Sequence, residues 1–84
     1  MLEIYIREDC PFCQKVLAAI DEMGLVRDRD IGIVDAAPGT PGREVVERVG
    51  GKAMVPFLLD GDVAMYESDD IIEYLRATAD PSHQ

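Results

Sequence analysis

Two cysteines, Cys10 and Cys13, are the only thiols in the chain, and Pro11 and Phe12 separate them. A C-x-x-C pair suits either reversible dithiol–disulfide chemistry or metal binding. A zinc site takes about four ligands, and the only further soft donor is His83, near the C-terminus. Two inert structural cysteines are the other alternative, and a helix start is an unusual place for them. The redox reading rests on position. Leu2–Ile6 alternates as a strand does, and an amphipathic helix follows the cysteine motif directly. A helix start carries unpaired N–H groups and the positive end of the helix dipole. Both favour a thiolate, so Cys10 is expected to have a lowered pKa and to be the attacking sulfur. Arg7 adds positive potential upstream. Cys13, one turn into the helix, is expected to be more buried and to resolve a mixed disulfide by attacking back. Pro11 and Phe12 set the local geometry and shield one side of the pair.

Two further segments carry possible binding chemistry. Val55-Pro56 stands at the entry of an apolar strand pattern, where proline needs a positional reason. A cis peptide there would turn the Val55 backbone towards the cysteines, ready to pair with an extended thiol peptide. An ordinary trans proline opening an edge strand is the commoner case. Glu67-Ser68-Asp69-Asp70 begins the last helical pattern. Capping by Ser68 and the acidic first turn explain it by themselves. The same segment could also hold the carboxylate and ammonium of a γ-glutamyl group.

The elements that must position these residues read as β-α-β-α-β-β-α. Asp9 is the expected N-cap of the first helix, with Pro11 just inside it. Phe12, Val16, Leu17, Ala19, Ile20 and Met23 form its apolar face, and Gly24 ends it. A strand is expected over residues 26–34, then a loop over 37–42. Thr40 and Pro41 open a second helix with Val45, Val46 and Val49 inward, stopped by Gly50-Gly51. Strands are expected over 54–59 and 63–66, joined by a tight turn at Asp60-Gly61. Ser68 caps a last helix with Ile71, Ile72 and Leu75 inward, ending near Thr78. Early βαβ units imply parallel pairing, and the hairpin implies antiparallel pairing. The result is an α/β domain with a mixed four-stranded sheet flanked by helices.

Composition narrows the function further. With 84 residues, a single domain over 1–84 is expected. Lys and Arg number 8 against 17 Asp and Glu, a formal net charge of −9. Phosphate binding needs clustered basic residues, so nucleic acid is not an expected partner. Anionic membrane surfaces are disfavoured by the same charge, and no apolar run approaches the roughly 20 residues of a membrane span. The N-terminus opens directly on a strand pattern without the basic and apolar regions of a signal peptide, so a cytoplasmic location is expected. Nothing in the sequence demands more than a monomer.

Taken together, Cys10-Pro11-Phe12-Cys13 after a strand, Val55-Pro56, and the acidic helix start at Ser68-Asp69-Asp70 resemble a glutaredoxin over nearly the whole chain. The resemblance implies the thioredoxin fold. It implies reduction of protein disulfides and protein–glutathione mixed disulfides, with glutathione as co-substrate and no metal. Cys10 is then the nucleophile and Cys13 the resolving thiol. Val55 pairs with the cysteinyl part of glutathione beside a cis Pro56, with Phe12 alongside. Ser68 and Asp69 take the γ-glutamyl group, and Arg7 or Lys52 the glycyl carboxylate. Three positions depart from the glutaredoxin pattern: Phe12 replaces a usual Tyr, Met54 a usual Thr, and Tyr66-Glu67 a usual Gly-Gly pair. Glu67-Ser68 followed by Ile71-Ile72-Glu73-Tyr74-Leu75 is similar instead to the N-terminal, glutathione-binding domain of glutathione transferases. There the Glu-Ser pair holds the γ-glutamyl group. Both resemblances imply one ligand, but a transferase would need a second, helical domain for its electrophile, and this chain stops at Gln84. The alternatives are a glutathione-independent, thioredoxin-like reductant, and an iron–sulfur cluster or glutathione-binding module.

Overall fold

A computed structural model describes residues 2–79; His83, weighed above as a metal donor, lies outside them. The elements are β1 (Leu2–Ile6), α1 (Pro11–Glu22), β2 (Gly32–Asp35), α2 (Pro41–Val45), β3 (Phe57–Asp60), β4 (Val63–Met65) and α3 (Ser68–Thr78). A π-helical turn, Val46–Gly50, continues α2. The four strands form one sheet in the order β2-β1-β3-β4. β1 runs parallel to β2, whereas β3 is antiparallel to both β1 and β4. The architecture is the α/β thioredoxin fold expected from the sequence.

Alternation along the strands sorts the core into two layers. Ile4 and Leu58 face one side of the sheet and pack with Val16, Leu17 and Ile20 of α1 and Ile71 and Leu75 of α3. Tyr5 and Phe57 face the other side and pack with Ala36 and Val46 under α2. Phe57 meets Tyr5 edge-on at 5.8 Å between ring centroids and Tyr66 at 4.9 Å.

The register decides where the site falls. Tyr5 lies opposite Phe57, so the C-terminal end of β1 adjoins the N-terminal end of β3. β4 reverses from β3 and pairs Met65 with Leu58. The start of α3 therefore returns to the same end of the sheet. β2, parallel to β1, delivers Asp35 and Ala36 there as well. The segments after β1, before β3 and after β4 meet on one edge.

Several local expectations change. Residues 26–31 are a turn rather than a strand, closed by the Val26 N–H donating to Asp30 Oδ2 at 2.7 Å. That hydrogen bond holds the Asp30 carboxyl below its usual value, and Asp28 takes a positive φ of 67°. β2 starts only at Gly32. β3 begins at Phe57, not at residue 54, because Pro56 has no N–H for the ladder. β4 ends at Met65, leaving Tyr66 outside the strand. The N-cap of α1 is Cys10, not Asp9, and that of α3 is Glu67, not Ser68; neither makes a side-chain capping bond. Val49 is exposed, since the wider π turn rotates it off the inward face. Thr40 caps α2 as read, its Oγ1 accepting from the Arg43 N–H at 3.2 Å.

α2 lies so close to the end of β2 that a Cβ on Gly42 would sit 2.1 Å from the Asp35 carbonyl oxygen. Backbone cannot yield as a side chain does. Gly42→Ala should therefore cost about 1–3 kcal/mol, read as a lower urea midpoint with an unchanged slope.

Candidate functional site

Cys10 flanks the N-terminus of the 12-residue helix α1 in an extended conformation, with φ −94° and ψ 118°. Pro11 follows at the first helical position, where a missing N–H is harmless. The Cys10 side chain bonds no helical N–H, so its sulfur stands free at the positive end of the helix. It is partly exposed. Across the site, its Sγ is 4.0 Å from the Val55 carbonyl oxygen. The Val55–Pro56 peptide is cis.

Cys13 has the opposite setting. It is wholly buried. Burial pushes its thiol up to about 12. The hydrogen bond and charge of Cys10 add to the rise, while a backbone hydrogen bond at Arg7 opposes it. Both cysteines are free thiols.

Two grooves flank the Cys10–Val55 contact. One, of about 260 Å³, has Phe12 and Lys15 of α1 on one wall. Glu67, Ser68 and Asp69 at the start of α3 form the other wall, and Met54, Val55 and Pro56 lie between. The second, of about 410 Å³, is lined by Arg7, Cys10, Pro11 and Arg43, and shares Met54 and Val55 with the first. Lys15 Nζ donates to Asp69 Oδ1, tying α1 to α3 across the first groove. Arg7 pairs with Asp9 at 3.1 Å.

The tertiary fold thus gathers most residues singled out from the sequence. Phe12, Val55, Pro56, Glu67, Ser68 and Asp69 share the first groove, and Arg7 joins Cys10 at the second. Lys52 lines neither. Its backbone instead serves as an anchor: the Lys52 N–H donates to the Tyr66 hydroxyl at 3.1 Å, and that hydroxyl donates to the Lys52 carbonyl at 2.8 Å. Arg43 fastens the same loop, donating from Nε to the Ala36 carbonyl at 2.8 Å and from Nη1 to the Ala53 carbonyl at 3.1 Å. Sequence reading missed Arg43, Tyr66 and Lys15. Lys15 had a signal, since it follows Phe12 by three positions and shares its helix face. Arg43 and Tyr66 had none, because their partners are backbone carbonyls distant in sequence.

Glu67 takes φ 73° and ψ 114°, a conformation few residues other than glycine adopt. It stands where the glutaredoxin pattern has a Gly-Gly pair. The bend aims Ser68 inward, where it is 8 % exposed, and leaves the Glu67 side chain on the groove wall. Among the described residues no cluster of three or more His, Cys, Asp or Glu could hold a metal ion. No helix among them is long and apolar enough to cross a membrane.

A cysteine at a helix start beside a cis-proline loop, on a mixed sheet in the order β2-β1-β3-β4, defines a thioredoxin-fold domain with a thiol site. The family model described as glutathione S-transferase, N-terminal domain matches residues 4–83, and the chain belongs to that family. A glutathione transferase Omega 3C from Trametes versicolor superposes with a TM-score of 0.79 at 24% identity, over 99% of this chain and 35% of that one. An epsilon-class glutathione S-transferase from the housefly, Musca domestica, gives 0.76 at 16% identity, over 96% and 36%. The chain spans about a third of the length of these structures. No curated protein sequence matches it significantly.

The raised Cys13 thiol has a consequence for stability. An ordinary cysteine loses its proton near pH 9, whereas folded Cys13 holds it to about 12. Between those values the unfolded chain binds fewer protons, so stability falls as pH rises. Tyr5 and Tyr74, also raised, by burial and by a hydrogen bond to Asp60 respectively, act in the same direction. The thermal midpoint should drop above about pH 9, and Cys13→Ala should shallow that drop while leaving the tyrosine part. At pH 7.5, iodoacetamide should modify Cys10 in the native protein and spare Cys13, as read by peptide mass mapping.

Proposed function

We propose that this domain is a glutathione-dependent thiol–disulfide oxidoreductase that acts chiefly on protein–glutathione mixed disulfides. The observation that carries this reading is the asymmetry of the two sulfurs. Cys10 is open to solvent at a helix start, and Cys13 is buried with its proton held to about 12. Membership of a glutathione S-transferase domain family supports glutathione as the ligand.

In the first step the Cys10 sulfur, as thiolate, attacks the glutathione sulfur of a glutathionylated protein. The mixed disulfide breaks, the protein thiolate leaves and takes a proton from water, and Cys10 carries glutathione. In the second step the thiolate of a free glutathione attacks the carried sulfur. Oxidised glutathione departs and the Cys10 thiolate returns. One disulfide is consumed and one formed, so electrons balance without a further cofactor. Val55 would hold the cysteinyl part by its backbone, and Ser68 and Asp69 the γ-glutamyl part. Arg7, on the other flank of Cys10, would face the glycyl carboxylate. Reduction of protein disulfides would require Cys13 to close on Cys10. Its raised pKa makes that branch the slower one near neutrality.

The family match favours a second reading, a transferase in which this groove presents glutathione and its own sulfur attacks an electrophile. Variants separate the two. Cys10→Ser should reduce deglutathionylation of a peptide substrate to background. Cys13→Ser should stay within about threefold of wild type on that substrate and lose reduction of protein disulfides. Equal loss in both variants would overturn the division of roles. Conjugation of glutathione to an aryl halide that survives Cys10→Ser would favour the transferase.

A further inference from the structure

The first groove holds an ion pair that the proposed cycle leaves unused. Lys15 Nζ donates to Asp69 Oδ1, one residue from α1 and one from α3, both on the groove wall. The pair is open to solvent, with side-chain exposures of 51% for Lys15 and 79% for Asp69. An ammonium has three donors and a carboxylate two oxygens. One donor and one oxygen are used between them. Two Lys15 donors and Asp69 Oδ2 remain, side by side. That is the complement of a free amino-acid head, whose carboxylate and ammonium sit on one carbon.

Charge makes Lys15 necessary rather than incidental. Glu67 and Asp69 both line this groove, and Lys15 is the one basic side chain among its described lining residues. Arg43 is committed to two backbone carbonyls, and Arg7 lies at the other groove, paired with Asp9. A ligand carboxylate entering between Glu67 and Asp69 would meet two like charges. We propose that Lys15 is a specificity-determining residue that binds the α-carboxylate of the γ-glutamyl head, while Asp69 takes its α-ammonium. This assignment rests on the glutathione reading above. It makes the Lys15–Asp69 pair a reader of the complete zwitterion. A head with the ammonium alone would need only Asp69.

The test uses one peptide carrying either a glutathione mixed disulfide or the same disulfide with γ-aminobutyryl-cysteinyl-glycine, which lacks only the α-carboxylate. Exchange with Cys10 is followed by mass spectrometry and by steady-state kinetics. Lys15→Met should lower kcat/KM for the glutathione peptide about tenfold, through KM. It should leave the decarboxylated peptide unchanged, and Lys15→Arg should recover most of the loss. A merely structural role for Lys15 would slow both peptides equally, and that result overturns the proposal, as does no effect on either. A wild-type protein that exchanges with neither peptide removes the glutathione reading itself. Exchange that persists in Lys15→Met with full discrimination removes Lys15 alone.

Discussion

The antiparallel pairing of β1 with β3, with Tyr5 opposite Phe57, is the constraint on which the site depends. It brings the chain leaving β1 beside the chain entering β3. Cys10 and Val55, far apart in sequence, then face each other at 4.0 Å. The pairing is secured from below by aromatic packing, since Phe57 touches both Tyr5 and Tyr66 in the layer under α2. Tyr66 also reaches up to hold the Lys52 backbone. Core and site share that side chain, so a disturbance of one is felt in the other.

The segment before β3 is an irregular stretch with no strand ladder to set its position. Side chains do that work instead. Arg43 spans from Ala36 to Ala53, and Tyr66 clasps Lys52. A guanidinium suits the first task because its planar fork reaches two carbonyls at once. Gly50 suits the second: a Cβ there would lie 2.1 Å from the Tyr66 hydroxyl. The loop that carries Val55 is thus fixed by three residues that touch no reacting atom.

Electrostatics divides the two cysteines, which differ by one helical turn. Cys10 is the flanking residue and meets solvent, the helix dipole and the Val55 carbonyl. Cys13 turns into the core and loses the water that would stabilise its anion. The same helix therefore makes one sulfur available and the other reluctant. Around them a surface with a net charge of −9 leaves few cations, and those at the site are spaced apart. Arg7 and Arg43 lie on one flank of Cys10, and Lys15 on the other.

Much of this was legible in the residues. The C-x-x-C motif after an alternating strand located the thiol site, and helical periodicity from Phe12 to Met23 located the face that buries Cys13. Proline at a strand entry marked the Val55 loop. These signals are local, set by spacing and by the geometry of single residues. Where local signals competed, reading them in isolation failed. Residues 26–31 look like strand by composition, but the Asp30 side chain closes a turn on Val26. Ser68 looks like a cap, but the positive φ of Glu67 turns it inward. The sequence by itself determined the element order, the core faces and the identity of the two sulfurs. Only the tertiary structure decided which charges and backbone groups surround them, because Arg43, Tyr66 and the Lys15–Asp69 pair meet partners distant along the chain, and such meetings follow from strand register rather than spacing.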